Sequence, residues 1–439
     1  MLRIKRSFTT LIFSLLIALV SAQTTELTFT FWGSPFEKDA VERMIKSFNE
    51  SHPNIKVRAQ HIPDGYEEKI STMVAGGTPP DVGYLNEGMA LQWAKEGILQ
   101  DLTPYFKEDP EASNRLPAAY YNYDGDKTIG TNTAAETIIL YYNKDLFDAA
   151  GVSYPPSKAA EAWTWDDFVE AAKKLTVDRN GNNATSPDFN PEQIETYGIS
   201  FPTWWGGYTP LIYSNGGSIA SDDGTEFQMN SPEAVEVLQN MQDLIYVHHV
   251  APTPAQSESL PSADIMMQSR KVAMSIDGHW KVLDYSQLGF NWGIGVLPYY
   301  DEPTTILLGA PSVIFSGTKH PEEAFEFYKF HNDPSQVDLY AKGLWMPLQL
   351  SYYTDPDKTA EWLDAIEGVY PPEARDVLID YTLNNTPTQP VFYWLKNAGQ
   401  IFSEAIDPAM TALWANEMTA QEAMDQAAEN AAPLMQGRW

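Results

Sequence analysis

Leu27-Thr28-Phe29-Thr30-Phe31, then Pro35 to Glu50, then Asn54 to Ile62, is the stretch from which the fold of this chain is read. The first run alternates Thr with large apolar residues and reads as a strand. The second carries Val41, Ile45 and Phe48 close to helical spacing. The third is a strand again, closed by the turn residues Pro63-Asp64-Gly65. A helix is expected from about Tyr66 to Ala75, stopped by Gly76-Gly77. Asp81 to Leu85 then reads as a short strand, with a helix running to Glu96 before Gly97. Repetition of this kind predicts a parallel sheet with helices on both faces.

The middle of the chain repeats the pattern. Thr137 to Tyr142, Tyr197 to Phe201, Lys271 to Ile276 and Trp292 to Leu297 read as strands. Trp165 to Leu175 is a predicted helix capped by Thr164, and Pro232 to Tyr246 one capped by Ser231. Beyond Pro321 helices predominate, with loops rich in Pro and aromatics. The expectation is an α/β chain of two lobes with a helical C-terminal part.

Composition narrows the function. Against 28 Lys and Arg stand 59 Asp and Glu, a formal net charge of −31, which sets the chain against phosphate and excludes nucleic acid as a partner. With no Cys there is no disulfide framework, thiolate metal site or cysteine nucleophile. Arg3, Lys5 and Arg6, an apolar run from Leu11 to Val20, and Val20-Ser21-Ala22 follow the order of a cleavable secretory signal over residues 1–22. The apolar run is shorter than the roughly 20 residues that span a bilayer, and no Cys follows it for lipid attachment. Loss of that segment removes three positive charges and deepens the net charge to −34. A periplasmic or extracellular location is expected.

Several segments, taken together, resemble the extracellular solute-binding proteins of ABC importers, in particular the carbohydrate-binding, maltose-binding-protein-like branch. They include Phe31-Trp32-Gly33, Gly77-Thr78-Pro79-Pro80-Asp81-Val82 and Leu140-Tyr141-Tyr142-Asn143-Lys144-Asp145-Leu146-Phe147. Thr164-Trp165-Asp166-Asp167-Phe168, Asn215-Gly216-Gly217 and the run Lys271 to Trp280 continue the series. Gly295-Val296-Leu297-Pro298 and Gly343-Leu344-Trp345-Met346-Pro347 end it. The resemblance implies a two-lobed periplasmic-binding-protein fold with a multi-strand hinge and a ligand cleft. It places hinge crossings near Asn132 to Glu136, Leu307 to Pro311 and Asp333 to Val337. Residues 23–135 and 310–335 would form the N-terminal lobe, and 136–309 and 336–439 the C-terminal lobe. The implied partners are a carbohydrate ligand and the importer's membrane subunits, with the protein itself a monomer and not an enzyme, and with no cofactor.

A sugar offers C–H faces to flat aromatic surfaces and hydroxyls to carboxylates and amides. Trp32 follows the first strand, at the carboxyl end where clefts of open α/β sheets lie. Glu87 stands in the same relation to the strand Asp81–Leu85. Glu136 precedes the strand Thr137–Tyr142, and in maltose-binding members a Glu at the corresponding place contacts sugar hydroxyls. Trp280 is the strongest candidate, because the family stacks an aromatic on a sugar ring after this strand. Trp204 and Trp205 share the Gly-rich segment Pro202 to Tyr208, read as a loop, so at least one is expected in the cleft. Gly309, Trp345, Tyr393 and Trp394 complete the ligand-binding set. Trp163, Trp165 and Trp414 are expected on helices as packing residues.

Asp178, Asn180 and Asn182 space oxygen ligands as in a fragment of a calcium loop, but the twelfth position is Phe189, so a plain polar turn is the stronger reading. Two other ligands suit the same fold: a glycerol phosphodiester, which wants cleft Arg or Lys, and a polyamine, which suits the acidity. An exported glycoside hydrolase is the remaining reading. However, no motif fixes a carboxylate pair, and Gly-x-Ser-x-Gly and His-Glu-x-x-His are absent.

Overall fold

The computed structural model describes residues 24–109, 113–386 and 389–439. The expected signal segment, residues 1–22, lies outside them. Among the described residues no helix is long and apolar enough to cross a membrane.

Strand β1 (Thr25–Phe31) buries Leu27, Phe29 and Phe31. It leads into helix α1 (Pro35–Ser51), which starts at a capping box: Ser34 accepts from the Glu37 N–H and Glu37 accepts from the Ser34 N–H. Ala40, Val41, Met44, Ile45 and Phe48 form its buried face. Strand β2 (Ile55–His61), helix α2 (Tyr66–Ala75), strand β3 (Val82–Tyr84) and helix α3 (Glu87–Lys95) follow. A hairpin of β4 (Tyr120–Tyr123) and β5 (Lys127–Thr131) turns at Asp124-Gly125, both with positive φ.

Strand β6 (Glu136–Asn143) opens the second sheet, and all eight of its residues are buried. With it stand β7 (Val177–Asp178), β8 (Ile194–Ser200), β9 (Val272–Gly278) and β10 (Trp292–Gly295), in the order β10-β6-β9-β8-β7. The two-residue β11 (Leu307–Leu308) pairs with the first residues of β6, and β12 (Ser312–Ile314) returns to the first sheet, ordered β12-β3-β1-β2. The helix Pro321–His331 then packs on that sheet, with Phe327 edge-on to both Phe29 and Phe48.

The expected parallel pairing holds for the strands it was read from, but each sheet also carries antiparallel strands. In the first sheet β1, β2 and β3 are parallel while β12 is antiparallel to β3. In the second, β8 and β9 are parallel but β6 is antiparallel to both β9 and β10. β7 is a local antiparallel partner of β8, but the reversals of β6 and β12 share a cause. β1, β3, β8 and β9 run toward the gap between the sheets, whereas β6 and β12 begin there, because the chain has just crossed from the other sheet. A strand that leaves a gap runs opposite to those that end at it. At the crossing, Thr133 N–H donates to the Ala310 carbonyl at 2.8 Å and Ala135 N–H to the Met346 carbonyl at 3.0 Å.

The C-terminal part is helical and lies mainly on the second sheet's side. Gln242 on the helix Pro232–Tyr246 donates to the carbonyls of Leu413 and Met418. A short segment reaches back: Gln389 donates to the carbonyls of Ala118 and Tyr120. The molecule is a two-lobed α/β protein.

Candidate functional site

A cavity of about 430 Å³ lies where the strands of both sheets end, a size within the usual small-molecule range. Seven of the residues singled out from sequence line it: Trp32, Glu87, Glu136, Trp204, Trp280, Gly309 and Trp345.

The aromatic surfaces come from both lobes. Trp280 follows β9, and a Cβ on Gly278 would lie 2.1 Å from its ring. Trp204 repeats the device, its ring 2.1 Å from where a Gly206 Cβ would be. In each case the missing side chain lets an indole fold back on the end of an element and present a face. The two rings are 6.2 Å apart between centroids and tilted by 32°. Trp204 is 38% exposed, a large apolar surface left uncovered. Across the cavity Trp32 stands edge-on to Tyr66 (4.8 Å) and Tyr84 (5.2 Å). Trp345 is a floor residue, buried against His331 and Tyr340.

The polar lining is mostly acidic. Glu136 is 7% exposed, and its Oε2 faces Nδ1 of the wholly buried His279 at 3.5 Å, with neither atom hydrogen-bonded among the described residues. Burial, aided by the charge of Glu37, pushes Glu136 well above the usual carboxylate range. Burial pushes His279 down to about 3, so the contact joins neutral groups. Burial also raises Glu37 and Glu87, each to about 7. Lys281 donates to Asp284 at 2.8 Å and to Asp264 at 3.3 Å. Burial works against its charge, but the surrounding carboxylates outweigh this and hold it protonated.

Gly309 sits at the crossing with φ +149°, where a Cβ would be 2.5 Å from the Ala134 carbonyl. Its own carbonyl accepts from the hydroxyls of Tyr121 and Tyr393, each at 3.0 Å.

Three residues singled out from sequence are not in the lining. Trp205 opens a helix (Trp205–Ser214) rather than lying in a loop, and turns its ring to Phe392 at 5.1 Å. Trp204, the extended cap residue before it, stands edge-on to Trp205 at 5.1 Å and is the one of the pair that borders the cavity. Tyr393 is buried behind Gly309, stacked on Tyr121. Trp394 lies under the Arg438 guanidinium at 4.6 Å, near the C-terminus. Trp163, expected on a helix, lies outside one, stacked on Phe147. Asp178 closes its loop with hydrogen bonds: one carboxylate oxygen accepts the N–H groups of Asn180 and Asn182, and the other accepts the N–H of Asn190.

Glu37, Tyr84, Thr133, Lys281 and Asp284 line the cavity without having been singled out. The capping box Ser34–Glu37 was legible, but only as a helix start. Nothing in the sequence says that the same carboxyl borders a cleft.

Two sheets whose strands end at a common gap, a shared crossing and an aromatic, carboxylate-lined cavity between them define a two-lobed ligand-binding protein. The sequence pattern of the bacterial extracellular solute-binding protein family matches residues 32–337, and the chain belongs to that family. The fold is shared with an ABC substrate-binding protein of Listeria monocytogenes, solved with cycloalternan. That likeness has a TM-score of 0.80 at 27% identity, covering 94% of this chain and 99% of the other. The maltose/maltodextrin-binding domain MalE of Bdellovibrio bacteriovorus, solved with maltotriose, has the same fold at TM-score 0.72 and 19% identity over 93% and 99% of the two chains. A similar curated relative is the sn-glycerol-3-phosphate-binding periplasmic protein UgpB of Brucella abortus. It is 27% identical over 352 residues, 76% of this chain and 77% of its own.

Proposed function

We propose that this solute-binding protein is exported, binds a di- or oligosaccharide in the cleft and delivers it, as a monomer, to the membrane subunits of an ABC importer. The observation that carries the proposal is the pair of indole faces, Trp204 and Trp280, set beside carboxyls on one cavity. Ring faces stack on the indoles while hydroxyls donate to Glu87 and Glu136. Lobe boundaries at residues 135/136, 309/310 and 335/336 are part of the proposal. They are supported by β12 and the helix Pro321–His331 packing on the first sheet. Contacts to ligand from both lobes would then favour a closed state.

The curated relatives' name raises a second reading, glycerol phosphate. The lining argues against it, because its one cation among the described residues, Lys281, is already paired with Asp284 and Asp264. A phosphate would meet the uncompensated carboxyls. Calorimetric titration with maltose, maltotriose and sn-glycerol 3-phosphate separates the readings. Binding of a saccharide and not of the phosphate is expected, and the reverse would overturn the proposal. Accumulation of reducing ends during a long incubation would make the protein a hydrolase instead.

A further inference from the structure

Among the described residues three lining carboxyls have no ion pair with Lys or Arg, although the charge of Lys281 reaches Glu37. Among the described residues the Glu37 carboxyl accepts only from the Ser34 N–H, at 3.3 Å. Glu87 opens α3 with no side-chain partner for its carboxyl. Glu136 is more than nine-tenths buried, and its Oε2 lacks a hydrogen bond. The charge of Lys281 is spent on Asp284 and Asp264. Carboxyls in such surroundings carry a cost that rises as water leaves, and a lobe closing over a neutral ligand removes more water. A ligand cation returns that cost as charge-assisted hydrogen bonds and, over the indole faces, as a cation–π attraction. A bare metal ion is a poor candidate, because no group of three or more His, Asp or Glu among the described residues could hold one.

From the buried Glu136 carboxyl, whose Oε2 has no hydrogen bond, and two further lining carboxyls without a Lys or Arg ion pair beside the indoles, we propose that the preferred ligand is a saccharide bearing a protonated amine. This deepens the saccharide reading and rests on it. Glu136 is the anchor for the ammonium, because it is more than nine-tenths buried and its Oε2 has no hydrogen bond. The charge of Glu37, on the facing lobe, helps to raise it, and His279 beside it stays neutral and offers no competing charge.

The two kinds of ligand move protons in opposite directions. Glu37 and Glu87 titrate near 7 as they stand. A neutral ligand that dries the cleft drives them to take up protons, whereas an ammonium drives them to release protons.

The experiment is titration calorimetry at about pH 6, where a sugar amine is already protonated and Glu37 and Glu87 still hold protons to release, in two buffers of different ionisation enthalpy. It uses matched disaccharides in several linkages, each as the hydroxyl, free-amine and N-acetyl form. The free amine is expected to bind about tenfold or more tightly than its hydroxyl counterpart and to release protons on binding. Glu136→Gln is expected to weaken the amine form more than the hydroxyl form and so shrink that ratio toward one, with a cooperative thermal melt showing that the variant is folded. If the hydroxyl or N-acetyl forms bind as tightly as the amine, the inference fails and the saccharide reading stands. If no member binds, both fail.

Discussion

Trp280 and Trp165 are the same side chain in different employment, and the difference lies in what each ring touches. Trp165 is packed against Phe168 and Tyr300 under a helix start. Trp280 rests on Gly278 with a face toward the cavity. Trp280→Ala is expected to weaken saccharide binding by about thirtyfold, roughly 2 kcal/mol, at nearly unchanged melting temperature. Trp165→Ala should lower stability by about 3–5 kcal/mol and leave affinity nearly intact. Paired titrations and thermal melts decide this, and equal effects on binding would misplace the site. Glu87 allows a pH test. Its folded value is raised to about 7 from an ordinary 4.5, so the native state keeps a proton that the unfolded chain has lost. Its contribution to stability is therefore full below about pH 4.5 and falls away as pH rises to about 7. Glu87→Gln escapes that loss and should melt higher than the parent at about pH 8, with little difference at about pH 4.5. The position of Trp280 at the cleft was legible, because a strand end followed by Gly and Trp has few uses. The partners of Glu136 were not, since His279 meets it only through sheet pairing between β6 and β9.

At the scale of elements, the sequence was most legible where one helix or strand carries its own signals. Trp165–Leu175 and Pro232–Tyr246 begin and end where cap and periodicity put them. Strand direction was not legible, because it depends on which sheet the chain has just left, and a local pattern holds no record of that. The Asp124-Gly125 turn of the β4–β5 hairpin carried a usable signal that the reading of strands and helices passed over. Helix α1 joins stability to the site: its capping box fixes Glu37, which also borders the cavity. Ser34→Ala should cost about 1 kcal/mol by denaturant melt. It should also weaken ligand binding modestly by freeing the Glu37 side chain. A loss of stability with wholly unchanged affinity would separate the cap from the cleft.

At the scale of the whole molecule, charge and aromatics divide the work. A formal net charge of −31, with 59 Asp and Glu against 28 Lys and Arg, leaves more carboxylates than cations to pair with them, and self-repulsion works against the compact state. Raising the ionic strength at neutral pH should therefore raise the melting temperature, whereas a flat or falling curve would mean that specific ion pairs matter more than the net charge. The indoles, by contrast, converge from both lobes on one cavity, and this convergence is the central claim. The crystal structure of the complex with a bound saccharide tests it most directly. The account predicts lobes closed on the ligand, a sugar ring stacked on Trp280 or Trp204, and a hydroxyl or amine on Glu136. Ligand density outside this cavity, or a ligand in it that leaves both indoles uncovered, would contradict it.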